Sequence, residues 1–129
     1  MKKDIESIED IRVLVDTFYG RVQRNDLIGP IFESKLAGRW PEHLEKMYRF
    51  WQTILLDEYS YSGRPFPPHS QLPVNQEHFD TWKYLFNSTV DELYKGKLAE
   101  EAKWRAERMA TMFLSKIEYF RDVGSKPLM

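Results

Sequence analysis

The chain has 129 residues, no cysteine and three histidines, a length that suits one domain with its own core and falls short of two. The missing cysteines exclude disulfide scaffolds, thiolate metal sites and cysteine-linked cofactors, which leaves histidine as the soft ligand. Lys+Arg 19 against Asp+Glu 20 gives a net charge of -1, so no overall field draws nucleic acid or anionic lipid, and neither is expected as a partner.

The charged start Met1-Lys2-Lys3-Asp4-Ile5-Glu6 has no apolar run behind it, unlike a signal peptide. The longest stretch without Asp, Glu, Lys or Arg, Pro65 to Gln76, carries four prolines and cannot span a bilayer. A cytoplasmic location is therefore expected. Residues 1–6 and 122–129 are expected to fray from a single domain covering 1–129.

From Ser7 to about Arg24, Ile8, Ile11, Val15, Phe18, Tyr19 and Val22 recur at helical steps on one face, with Ser7 and Asp10 as a variant capping box. Leu27 to Phe32 reads as an apolar turn, because Gly29-Pro30 interrupts a continuing helix. A second helix is predicted from Pro41 to about Asp57. With His43 at zero and about 100° per residue, Ile54 falls near 20°, Met47 near 40° and Phe50 near 340°, so His43 shares the apolar stripe.

Tyr59 to Pro73 breaks the helical pattern, since Pro65, Pro67, Pro68 and Pro73 forbid a long helix and stiffen the segment around His69. A third helix, Gln76 to about Tyr94, has Asn75 as its cap and Phe79, Trp82, Phe86, Val90 and Leu93 on one face; Gly96 ends it. The fourth runs from Leu98 to about Arg121, with Leu98, Ala102, Ala106, Met109, Phe113 and Ile117 at near-regular steps, and Gly124 and Pro127 release the tail. No strand pattern or repeat competes, so an all-α domain is predicted.

Chemistry narrows by elimination. The pairings H-E-x-x-H, E-x-x-H and G-x-S-x-G are missing, and the six glycines stand singly, so metallohydrolase, di-iron, serine-nucleophile and phosphate-loop readings lose their motifs. A histidine-ligated haem is the sharpest remaining option: it needs one neutral imidazole, an apolar slot and polar donors opposite. The aromatic content of 15% supplies walls for such a slot, although aromatics also simply fill cores. His69, on its constrained segment, suits the iron ligand better than His78, which reads equally as a first-turn helix residue.

The ordered set Phe18-Tyr19, Gly29-Pro30-Ile31-Phe32, Trp40 with His43, Phe50-Trp51, Tyr61-x-Gly63-x-Pro65, His69 with Leu72, His78-Phe79-x-x-Trp82, Arg105-Ala106 and Phe113 resembles the third group of truncated haemoglobins. The resemblance spans about residues 5 to 120. It implies a globin-like two-over-two helical sandwich around haem b, with His69 as proximal iron ligand. It also implies a distal cage of Tyr19, His43 and Trp82, with Phe32 packing on the haem and Met47, Phe50 and Trp51 completing the wall. Met47 stands where the family more often has a branched aliphatic, and Lys83 where leucine is usual.

Each assignment has a plainer counterpart. Tyr19 is a donor to a diatomic ligand or a buried core tyrosine; Trp82 a second donor or a core aromatic; His43 a distal donor, a gate, or a solvent-facing residue. Lys46 and Arg64 are partners for the haem propionates or solvated charges. The leading function is a globin binding O2 or another diatomic gas, as a monomer or weak oligomer. A haem-dependent redox enzyme acting on nitric oxide or peroxide with an external reductase, and a haem-free helical interaction module, are the alternatives.

Overall fold

The first helix, α1 (Ile8–Arg24), buries Ile11, Leu14, Val15, Phe18, Tyr19 and Val22 along one stripe. Ser7 is its N-cap, but the Ser7 side chain makes no capping bond. The Asp10 carboxylate instead accepts from the Glu6 N–H at 2.9 Å and pairs with the Lys3 ammonium, which holds it there. The Ser7 side-chain half of the expected capping box is therefore not made, while the Asp10 carboxylate turns to the backbone of Ser7 and Glu6.

The computed structural model describes residues 1–69 and 72–125, which form five α-helices and one 3-10 turn, with no strand among them. Asn25 closes α1 by donating its N–H to Val22 O, and its Oδ1 accepts from the N–H groups of Leu27 and Ile28 in the turn that follows. The Gly29-Pro30 pair, expected to hold a turn, instead opens α2 (Gly29–Leu36). A proline in the first helical turn forfeits an N–H that has no partner there, so it starts a helix as readily as it stops one. At Gly29 a Cβ would lie 3.0 Å from the carbonyl oxygens of Val22 and Gln23, which explains glycine where α2 folds back on α1.

The next helix, α3 (Trp40–Leu56), starts one residue before Pro41 and stops where Asp57 turns left-handed at φ 57. Among its described residues, the proline-rich segment that follows contains one 3-10 turn, Pro67–His69. Asn75 then caps α4 (Gln76–Leu93): its side chain accepts from the Glu77 N–H, and its own N–H donates to His78 Nδ1.

The longest helix, α5 (Lys97–Ser125), is capped from the other end of the chain. Asp4 accepts from the N–H groups of Leu98 and Ala99, each at 2.9 Å, and Lys95 N–H bonds Lys3 O. Within residues 1–6, expected to fray, Ile5 is only 2% exposed and Asp4 is half-buried, while Met1, Lys2, Lys3 and Glu6 stay exposed. Helix α5 also passes the expected stop at Arg121 and includes Gly124, since one glycine costs only about 1 kcal/mol against alanine. Residues 126–129, with Pro127 of the expected tail, lie outside the described residues.

Helix α1 packs on α3 and α4, α4 packs on α5, and α3 also touches α5, giving a two-over-two sandwich of α1 and α3 over α4 and α5. A row of alanines, Ala99, Ala102, Ala106 and Ala110, lets α5 approach its neighbours closely. Arg21 crosses from α1 to α4, donating to Thr89 Oγ1 at 3.0 Å and pairing with Glu92. Among the described residues no helix is long and apolar enough to cross a membrane.

Candidate functional site

Between the layers lies a cavity of about 630 Å³, inside the roughly 300–1,000 Å³ range of cofactor and small-molecule sites. Its walls include all ten residues singled out from the sequence: Tyr19, Phe32, His43, Lys46, Met47, Phe50, Trp51, Arg64, His69 and Trp82.

On one side, the 3-10 turn presents His69. Its Nδ1 lies 2.6 Å from Pro65 O, a distance at which the ring must donate Nδ1–H to the carbonyl and carry its lone pair on Nε2. Burial lowers the His69 pKa, although the bonds to Pro65 and Phe66 work the other way. The imidazole is thus neutral, the form that ligates a metal. The Phe113 ring lies 4.8 Å away.

The opposite wall is built by α1 and α3. Tyr19 is 7% exposed and burial alone raises its pKa, so the phenol stays protonated and available as a donor. The His43 ring stands edge-on to it at 5.0 Å and 87°. His43 Nε2 is buried with no hydrogen-bond partner among the described residues. Burial, with the charges of His69 and Lys46, pushes the His43 pKa down to about 4. A buried polar nitrogen without a partner costs roughly 1–3 kcal/mol, which a ligand placed in the cavity would recover.

Trp82 of α4 is held edge-on by Phe18 at 5.6 Å and stacked on Phe86 at 5.7 Å and 6°. Phe86 stacks in turn on Trp51. Phe32 meets Tyr19 at 5.9 Å, and Phe50 meets Tyr61 at 5.3 Å. Lys46 and Arg64 are exposed at the rim. His78 also reaches the cavity, but its Nδ1 is committed to the α4 cap. Lys83, the other departure, pairs with Glu107 of α5 and with Asp80.

Sequence reasoning left out several wall residues, including Tyr61, Phe79, Phe86, Met109 and Phe113, and the rim cations Lys35 and Arg39. Phe79, Phe86, Met109 and Phe113 lie on stripes already read as inward, but periodicity does not separate a cavity wall from a solid core. Lys35 and Arg39 carry no signal in the sequence because they lie between the predicted turn, Leu27 to Phe32, and the helix predicted from Pro41, on and just after α2.

The donor set suits a flat macrocycle: a neutral imidazole on one wall, a partnerless imidazole nitrogen and a phenol on the other, aromatic faces between, and cations at the rim. Among the described residues no three His, Asp or Glu side chains gather as a bare metal ion would require. An all-α two-over-two sandwich around such a slot is the architecture of a truncated globin.

Comparison with known proteins agrees. The family model described as bacterial-like globin matches residues 4–115. The group 3 truncated haemoglobin ctb of Campylobacter jejuni is 32% identical over 117 residues, 88% of this chain and 92% of that protein. The crystal structure of a group III truncated haemoglobin from Campylobacter jejuni superposes with a TM-score of 0.83 at 31% identity, covering 91% of this chain and 95% of that one. The chain belongs to the bacterial-like globin family, in the third group of truncated haemoglobins, and is a haem-binding globin.

Proposed function

We propose that the chain holds haem b through His69 and binds O2 and other diatomic gases beside Tyr19, His43 and Trp82. One observation carries this reading: His69, with Nδ1 bonded to Pro65 O, shares a cavity with a buried His43 Nε2 that has no partner. Haem, held by His69, would supply an iron able to bind a diatomic ligand.

The chain's own side chains do the rest. Pro65 O orients the His69 ring and raises the basicity of Nε2. Tyr19 offers an O–H, His43 a ring nitrogen and Trp82 an indole N–H to the ligand side. Phe32, Met47, Phe50 and Trp51 keep water out, which strengthens any hydrogen bond made inside. Lys46 and Arg64 offer positive charge to the cofactor's carboxylates, with Lys35 and Arg39 beside them. A chain without cysteine holds the macrocycle by ligation and packing alone, which supports the b type.

A cytoplasmic location, on the cysteine-free composition, and a monomeric or weakly associated state belong to the same proposal. The same donors would serve redox turnover of nitric oxide or peroxide with a separate reductase; rapid mixing faster than a simple oxygen carrier allows would select that use.

A visible spectrum of the haem-supplemented protein tests the central reading: a Soret band is expected, and its absence refutes haem binding. His69→Ala should lose stable haem while His78→Ala keeps it; the reverse result exchanges the two assignments.

A further inference from the structure

Among its described residues the segment bearing His69 has one short turn of regular structure, yet it is gripped on both sides of the histidine by the second half of α5. Three residues before His69, the Phe66 ring meets Phe113 at 5.5 Å and stacks on Phe120 at 5.9 Å and 19°. Lys116 Nζ lies 5.1 Å from the centre of the same ring. Three residues after His69, Leu72 O accepts from Arg121 Nη2 at 2.8 Å. Phe113 also tilts against His69 itself, at 4.8 Å and 41°.

Phe113, Phe120 and Arg121 fall at steps of seven and eight residues, so one face of α5 presents all three. The Nδ1 bond to Pro65 fixes which nitrogen His69 offers, and the Phe113 ring restricts how the imidazole turns about its own axis. Phe120 is 48% exposed, and neither it nor Arg121 lines the cavity. Solvent exposure of a large ring costs free energy, and here the ring spans α5 and the histidine segment.

Resting on the reading of His69 as the haem ligand, we propose that the last turns of α5 are a brace that sets the orientation of the His69 imidazole, with Phe113 as the positioning residue and Phe120 and Arg121 as its outer anchors. The orientation of a ligating imidazole then depends partly on Phe120 and Arg121, which do not line the cavity.

Resonance Raman spectra of the ferrous haem protein test this through the iron–histidine stretching band, read in Phe113→Leu, Phe120→Ala and Arg121→Ala. The brace predicts a shifted or broadened band in all three, with haem loss about tenfold faster in Phe113→Leu. Phe120 and Arg121 are exposed, so Phe120→Ala and Arg121→Ala remove their contacts to Phe66 and Leu72 without opening the core, and they carry the test if Phe113→Leu fails to fold. An unchanged band in those two variants overturns the brace and leaves His69 as ligand. A band that survives His69→Ala overturns the ligand assignment, and the brace with it.

Discussion

Tyr19 and His43 meet edge-on in a place that withholds water from both, and burial moves their proton equilibria in opposite directions: the phenol upwards, the imidazole down to about 4. Both therefore stay neutral at physiological pH. If the Tyr19 hydroxyl is the principal donor to bound O2, Tyr19→Phe removes a bond of about 1.5–3 kcal/mol, and O2 dissociation measured by stopped flow should quicken roughly ten- to a hundredfold. An unchanged rate would clear Tyr19 of the role. The His43 shift sets a second expectation. Below the ordinary value of 6.5 the unfolded chain takes up a proton that the folded one refuses until about 4. This contribution to stability is complete above about pH 6.5 and is lost as pH falls towards 4; His69, shifted the same way, adds to it. His43→Gln should flatten that part of the urea midpoint plotted against pH, and an equally steep profile would count against a buried neutral His43. At this scale the sequence was legible where helical arithmetic put His43 among Met47, Phe50 and Ile54. It could not show the Nδ1 bond of His69 to Pro65, because that bond depends on how a proline-rich loop closes.

Between residues and the whole lie the ends of helices, where the chain most often departed from expectation. Asp4 caps α5; burial disfavours its charge, but the N–H groups of Leu98, Ile5 and Ala99 outweigh this and hold its pKa below the ordinary value. Asp4→Ala should cost about 1–2 kcal/mol in chemical denaturation, in line with the loss of an N-terminal cap. Gly96 stands at φ 145, where an added Cβ would come within 2.5 Å of Asp4 Cγ. Gly96→Ala should therefore destabilise by at least about 1–3 kcal/mol, through backbone strain and displacement of the cap; a neutral outcome would mean that the cap contributes little. Asn75 was readable as a cap because it stands directly before a strong apolar stripe. Asp4 was not, because its partners lie 94 and 95 positions away. Helix α2 was missed for a different reason: Gly-Pro punctuates both the end of one helix and the start of another.

For the molecule as a whole, the all-α sandwich was legible from four amphipathic stripes, and the ordered resemblance supplied how they are arranged. The cavity was not legible from composition, since aromatic residues that fill a core and those that line a slot have the same count and periodicity. What separates them here is the packing of α1 and α3 over α4 and α5, which leaves about 630 Å³ between walls of stacked rings. A site walled by all five helices and the His69 segment depends on the sandwich staying closed. Arg21 contributes to that closure, donating to the fully buried Thr89 and pairing with Glu92.

The packed N-terminal segment also bears on the order in which the protein is made. Asp4 and Lys3 leave the ribosome long before Leu98, Ala99 and Lys95, the backbone groups they bind. Until then Lys3 and Glu6 have only the nearby Asp10 to hold, and contacts so distant along the chain are slow to form. Lys3 and Asp4 thus settle against Lys95, Leu98 and Ala99 only once the start of α5 has been made, so the seam between them closes late in folding.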